Sequence, residues 1–126
     1  MKKRVVAERG ARKAILMDSI SYVDAADAGH IVVSASHGGA SSAGYARRHR
    51  LAAVFFNDAG VGKDEAGIAS LNMLEMPVAT VSHVSARIGD AEDAWRHGVL
   101  SHVNAAAGRR GLQPGQRLQD AVARLL

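Results

Sequence analysis

A chain of 126 residues, 48% hydrophobic and 22% charged, is one domain's length and can bury a core without staples. It contains no cysteine, which excludes disulfides, thiolate nucleophiles and zinc–sulfur sites. The net charge of +4 is spread over small groups (Lys2-Lys3-Arg4, Arg47-Arg48-His49-Arg50, Arg109-Arg110), and aromatics make up only 4%, so no stacking platform for nucleic acid is expected. No apolar run approaches the roughly 20 residues of a membrane span. The basic start is followed by Glu8, Arg9, Arg12 and Lys13 rather than by an apolar stretch, and the expectation is a cytoplasmic protein with no membrane contact.

Residues 1–14 are charged and weakly patterned, and read as a short strand or a loose arm. Ile15 to Val23 reads as a strand with Asp18-Ser19 as a bulge or edge feature. Asp24 is placed to cap a turn that Gly29 stops. A strand over 31–36 runs into Ser36-His37-Gly38-Gly39, and a helix over 41–49 would start from Ser41 or Ser42. Leu51 to Phe56 is continuously apolar, which predicts a strand covered on both faces. A glycine-rich loop and a helix from about Glu65 to Leu74 follow, ended by Pro77. Val78 to Val84 is the next strand. Asp90 caps a helix over 91–97 that Gly98 ends. Val99 to Val103 is another strand, Asn104 caps a short helix, and Arg117 to Leu126 is amphipathic with Leu118, Ala121, Val122 and Leu125 on one face.

Strands alternating with helices predict a single α/β domain with a mostly parallel sheet of four to five strands. In such a sheet the loops after the strands share one edge, the usual ligand edge. Three apolar strands here end in Ser36-His37-Gly38-Gly39, in Asn57-Asp58, and in Ser82-His83-Val84-Ser85. His37 and His83 suit a general base and acid with Asp58, or a divalent metal with Asp58 as third ligand. The blander reading has each histidine bonding a loop backbone. Gly38 and Gly39 would offer backbone N–H groups to an anion at a helix start, with Ser36, Ser41, Asn57 and Ser85 as polar contacts. Lys63 or Arg87 would supply positive charge. Arg87 equally suits a structural pair with Asp90, and Lys63 an exposed position in a glycine loop. Ser34, Ser36 and Ser85 are nucleophile candidates, but Gly-x-Ser-x-Gly is absent and caps are the plainer role.

Two phosphate motifs fail on spacing. Gly60-Val61-Gly62-Lys63 lacks the earlier glycine and the following Ser or Thr of a P-loop. Gly60, Gly62 and Gly67 do not make a dinucleotide fingerprint. His97 and His102 fall outside the strand-end group.

The stretch from Asn57 onward resembles the small YunC-like bacterial domains. The resemblance is carried by Ala53-Val54-Phe55-Phe56-Asn57-Asp58 with its glycine turn, Ser70-Leu71-Asn72, Gly89-Asp90-Ala91, Ser101, and Gly111-Leu112-Gln113-Pro114-Gly115 with the closing helix. It implies a compact α/β fold and carries over no catalytic residue.

The functional expectation is a small anionic, carboxylate-like metabolite at the strand ends, with hydrolase or lyase chemistry through His37, Asp58 and His83. No cofactor is called for beyond the metal alternative. The other class is a non-catalytic regulatory or interaction module in a homo-oligomer or beside a partner enzyme.

Overall fold

The computed structural model describes residues 2–126. They form one six-stranded mixed sheet: β1 (Arg4–Arg9), β2 (Arg12–Met17), β3 (Ile31–His37), β4 (Ala53–Asn57), β5 (Val78–Val81) and β6 (Leu100–Val103). The strands lie side by side in chain order. The helices are α1 (Ala40–Arg47), α2 (Ala91–His97), α3 (Ala105–Arg109) and α4 (Leu118–Leu125), with short 3-10 turns at Ile20–Tyr22 and Ala25–Asp27 and a longer 3-10 segment at Lys63–Asn72.

The expected mostly parallel sheet of four to five strands is corrected to a mixed sheet of six. β2 to β5 run parallel, and both edge pairs, β1–β2 and β5–β6, are antiparallel. The reasons lie in the connections. Residues 10 and 11 alone join β1 to β2, and a crossover to a parallel neighbour needs a dozen or more. The charged N-terminal stretch is therefore a hairpin arm of the sheet. Between β5 and β6 the chain returns to the end it left, because Leu100 pairs with Val81. There the Ser82 N–H donates to the Val99 carbonyl at 2.8 Å, which starts β6 beside the end of β5.

Side chains of the parallel strands alternate between two cores, as a pleated strand requires. Leu16, Val33, Phe55 and Ala79 pack with Ala91, Ala94, Leu118 and Val122 from α2 and α4. Met17, Val32, Val54, Phe56 and Val78 pack with Ala43 and Ala46 of α1 and with Leu74. Burial on both sides is why Leu51 to Phe56 is apolar throughout rather than alternating. Sequential strand order with right-handed crossovers puts every β2–β5 connection on one face, the face of the second core. α2, α3 and α4 cover the other.

Three sequence-predicted boundaries hold. Asp90 Oδ1 accepts the Asp93 N–H at 3.0 Å to start α2, Asn104 Oδ1 accepts the Ala107 N–H at 2.9 Å to start α3, and the predicted face of α4 is buried. Three differ. The strand expected to reach Val23 stops at Met17, because Asp18 and Ser19 already lead into a 3-10 turn. α1 is capped by Gly39, not Ser41 or Ser42; Ser42 Oγ turns back to donate to the His37 carbonyl at 2.6 Å. The helix expected over 65–74 is a 3-10 segment whose start is interrupted by left-handed Asp64 (φ 55°) and Glu65 (φ 59°).

Candidate functional site

His37 pairs with Asn57 across β3 and β4, and Asn57 pairs with Val81 across β4 and β5. The three strands thus end level, and their following loops rise from one edge. The parallel core makes this juxtaposition, as the polar strand ends predict.

Asp58 and His83 are brought into direct contact there. The Asp58 side chain is 6% exposed, and its Oδ1 takes the His83 Nδ1–H at 3.2 Å, while the His83 ring is 53% exposed. The same oxygen accepts the backbone N–H of Gly60 at 2.8 Å and of His83 at 3.1 Å. Burial alone would raise the Asp58 pKa. The N–H of Gly60, the Ser101 hydroxyl and both His83 donors outweigh it and hold the carboxyl below its ordinary value, so Asp58 is ionised. A carboxylate only accepts, so in this contact the proton sits on Nδ1, and Nε2 is turned away from Asp58. The arrangement orients a solvent-facing base.

The contact extends to residues outside the predicted cluster. Ser101 Oγ, on β6, also bonds Thr80 Oγ1 at 2.9 Å and His102 Nδ1 at 3.2 Å. His102 therefore belongs to a partly buried polar group with Ser101 and Thr80, and Ser101 is also one of the groups that hold the Asp58 carboxyl below its ordinary value. No sequence pattern carries this, because β6 reaches β5 only by running antiparallel.

His37 belongs to a second group, with Gly39 and Ser42. Its Nδ1 lies 3.4 Å from Ser42 Oγ. A cavity of about 300 Å³ opens between His37, Gly39 and Ser41 on one side and Ala59, Val61, Gly62 and Ala66 on the other. Gly60, inside that same loop, touches the His83 ring, with a Cβ position 3.6 Å from Nε2. One loop thus separates the two histidines and contacts both groups. Its backbone is strained: Ala59 (φ 52°) and Val61 (φ 68°) are left-handed without being glycine. Such conformations cost about 1–3 kcal/mol each and persist only where the surroundings enforce them. The loop is held down by the Gly67 N–H, which donates to the Val61 carbonyl at 2.7 Å.

A second, shallower cleft of about 460 Å³ shares His37 and Ser41 with the first and continues to Ser36, Tyr45, Ser19 and Ile88. Asp18 and Ser19, read from sequence as a bulge or edge feature, directly follow another parallel strand, β2, at the same edge. The available signal was the polar pair directly after the apolar run Ile15-Leu16-Met17.

The remaining predicted residues do different things. Asn57 is 1% exposed and committed internally: Nδ2 donates to the Ala86 carbonyl at 3.0 Å and Oδ1 accepts the Ala59 N–H at 2.8 Å. Ser85 Oγ donates to the Ser82 carbonyl at 2.8 Å and accepts the Val99 N–H at 3.0 Å. Ser34 Oγ accepts the Ser36 N–H and Ser36 Oγ the Ile20 N–H, each at 3.0 Å. The Gly38 N–H donates to the Asn57 carbonyl at 2.9 Å, so it closes the sheet edge rather than facing a ligand. Lys63 is exposed at the start of the 3-10 segment and lines neither cavity. Arg87 is exposed, and its backbone N–H bonds Asp93 Oδ2 at 2.9 Å; among the described residues no Arg87–Asp90 ion pair forms, since Asp90 caps α2.

The largest cavity, about 660 Å³, lies at the opposite end of the sheet between Leu71, Leu74, Asn104 and Arg109. Asn104, its central polar side chain, is fully engaged by Val78, Ala107, Leu74 and Met76. The charged lining of this cavity is Arg109 and Glu75 and it holds no histidine, so the strand-end edge is the better candidate despite smaller volumes. Among the described residues no group of three or more His, Asp or Glu side chains is placed to hold a metal ion. No helix among them is long and apolar enough to cross a membrane. Comparison with known proteins finds no matching family model, no similar curated protein and no similar solved structure.

Proposed function

We propose that the protein binds a small anionic, carboxylate-like metabolite at the C-terminal ends of β3 and β4, and that Asp58 and His83 supply proton transfer for hydrolase or lyase chemistry. The observation that carries this reading is the cavity of about 300 Å³ between His37, Gly39 and Ser41 and the strained loop of Ala59, Val61 and Gly62. Gly39 caps α1 without a side-chain hydrogen bond, so nothing from its own side chain occupies the first-turn N–H groups. Ser41 adds a hydroxyl and His37 an imidazole. His83, fixed by Asp58, stands across the same loop at Gly60 and would exchange a proton with the part of a substrate that reaches past that loop. Lys63 or Arg87 would add long-range attraction for an anion.

The test is a two-dimensional NMR titration with acetate and inorganic phosphate. Shifts confined to residues 39–42 and 59–62, lost in His37→Ala, are expected. Unchanged spectra at saturating anion would remove the binding reading. His83→Ala should leave these shifts intact and abolish turnover of any substrate subsequently found; retained turnover would remove the acid–base role.

A second reading, an interaction module in a homo-oligomer or beside a partner enzyme, is favoured by one feature. Val84 is 83% exposed and Ile88 53% exposed on the loop after β5, beside the same edge. Light scattering decides: an oligomer lost on Val84→Glu supports it, and a monomer at all concentrations counts against self-association.

A further inference from the structure

Two basic groups stand out in the sequence, Arg47-Arg48-His49-Arg50 and Arg109-Arg110, and the strand-end site uses neither. The fold brings both to the other end of the sheet. Arg47 closes α1, Leu51 leads into β4, Met76 leads into β5, and Asn104 follows the antiparallel β6. There a cavity of about 460 Å³ sets Arg47, His49 and Arg50 beside Leu51, Met73 and Met76. It adjoins the cavity of about 660 Å³ at Leu74 and Glu75, which line both, and that cavity continues to Leu71, Val103 and Arg109. From this we infer that the groove binds a single-chain anionic amphiphile of the fatty-acid class, its carboxylate at Arg47 and Arg50 and its chain over Met73, Leu74 and Met76 toward Leu71. This site is separate from the strand-end edge and does not depend on it.

The charges set where a head group sits. Arg47, Arg50 and Arg109 are exposed, and among the described residues they form no ion pair. Arg47 Nη2 donates to the Met73 carbonyl at 3.0 Å, which ties α1 to the end of the 3-10 segment at this cavity and leaves the other guanidinium N–H groups for a carboxylate. Arg47 lies in the last turn of α1, where a cation also answers the helix dipole; Arg50 lies beyond the helix, outside that role. Glu75 is the one carboxylate in either lining, and both cavities share it. An anion charged along its length, such as an acidic peptide or a polyphosphate, would meet Glu75, whereas a ligand charged at one end would not. The floor suits an alkyl chain. Leu51 and Leu74 are buried, Met73 is 37% exposed, and unbranched methionines adapt to a flexible neighbour. Neither lining holds an aromatic ring, so a nucleobase has nothing to stack on. Both volumes fall in the range of small-molecule sites.

Two-dimensional NMR titration of the full chain with octanoate, decanoate, octylammonium and acetate, each below micelle formation, tests this. Decanoate is expected to shift residues 47–51 and 71–76 and to bind about tenfold more tightly than octanoate, through two more buried methylenes. Octylammonium and acetate should leave those residues unmoved. Arg50→Ala, whose backbone carbonyl still accepts the Gly29 N–H, should weaken decanoate about twofold to fivefold, and Glu75→Gln should tighten it about twofold. Absence of decanoate shifts at 47–51 and 71–76 overturns the site. Equal affinity for octanoate and decanoate overturns the buried chain, and octylammonium binding as tightly as octanoate overturns the anionic head. Two variants that move affinity the same way, or not at all, overturn the placement of that head. Adsorption to phosphatidylglycerol vesicles that Arg50→Ala abolishes, without any decanoate shift, would reassign the groove to a membrane surface. Acetate shifts at residues 39–42 report on the strand-end site alone, so failure of either reading is told from failure of the other.

Discussion

The backbone of Gly67 lies so close to Asp58 that a methyl group at Gly67 would stand 2.0 Å from the Asp58 carbonyl oxygen. The loop of residues 58–67 is thereby folded back on its own start, and the same carbonyl-lined surface meets Gly38, where a methyl would stand 2.7 Å from the Gly67 oxygen. Both neighbours are backbone atoms that cannot swing aside. Gly67→Ala is expected to destabilise the protein by about 1–3 kcal/mol or more, the usual range for forced overpacking. Gly38→Ala should cost a similar amount, and the double variant less than the sum, because both push the same loop off the same turn. Urea denaturation of the three variants measures this; additive losses would mean that the two glycines act independently.

Acid sensitivity should trace in part to Asp58. Its carboxyl is held below the ordinary value of 3.8 in the folded state. A depressed folded pKa gives stability that is fully present above the ordinary value and is lost as pH falls through the folded one. Asp58→Asn cannot bind that proton. At neutral pH it should be less stable than the parent by about 1–3 kcal/mol, from the loss of hydrogen bonds to a charge. The gap should narrow steadily below the ordinary aspartate range. A gap independent of pH would show that Asp58 is not ionised in the folded protein.

Left-handed Ala59 offers the opposite effect. Its φ of 52° is unfavourable for any residue with a Cβ, and its side chain is exposed. Ala59→Gly removes roughly 1–2 kcal/mol of strain against about 0.5–1 kcal/mol of added unfolded-state entropy. A higher melting temperature is expected from calorimetry, with weaker anion binding if the strain holds the loop in its binding shape. A lower melting temperature would mean that the left-handed geometry carries no strain.

Ser70 is fully buried and its hydroxyl has no hydrogen-bond partner among the described residues. An unmade buried bond costs about 1–3 kcal/mol, so Ser70→Ala should be neutral or stabilising by up to about 1 kcal/mol. Its backbone N–H, which donates to the Gly38 carbonyl at 2.8 Å, is untouched by the change. Marked destabilisation in urea would reveal a partner for the hydroxyl.

Asn104 does more than cap α3. Its Oδ1 accepts from Val78 and Ala107, each close to 3 Å, and its Nδ2 donates to Met76 at 2.9 Å. It ties the start of β5 to the start of α3. Asn104→Ala should exceed the ordinary cap loss of about 1 kcal/mol and approach 3 kcal/mol, since the Val78 N–H is left unpaired. Asn104→Asp keeps the acceptor and should lose less. Equal losses in the two variants would assign the effect to the Nδ2 contacts.

The local rules were legible wherever the answer depended on neighbours in the chain. Asp90, Gly98 and Asn104 set helix ends because a cap bonds groups two or three residues away. Leu118, Ala121, Val122 and Leu125 named the buried face of α4 because helix geometry fixes which positions align. Continuous apolarity from Leu51 identified a strand buried on both faces. Polar residues closing the apolar strands of β3, β4 and β5 located the candidate edge, since parallel strands end together.

What the tertiary structure decided is everything that rests on contacts distant in sequence. The directions of β1 and β6 follow from which end of the sheet the chain returns to. His83 and not His37 meets Asp58, because the 59–62 loop stands between the two histidines. Ser101 and His102 come beside Thr80 of β5 only through the antiparallel run of β6. Gly38 serves close approach to Gly67 rather than N–H donation to an anion, a role set by a backbone 29 residues away. Periodicity records which face a residue shares with its neighbours; it carries no record of which distant backbone arrives on that face, and at this edge that arrival sets the chemistry.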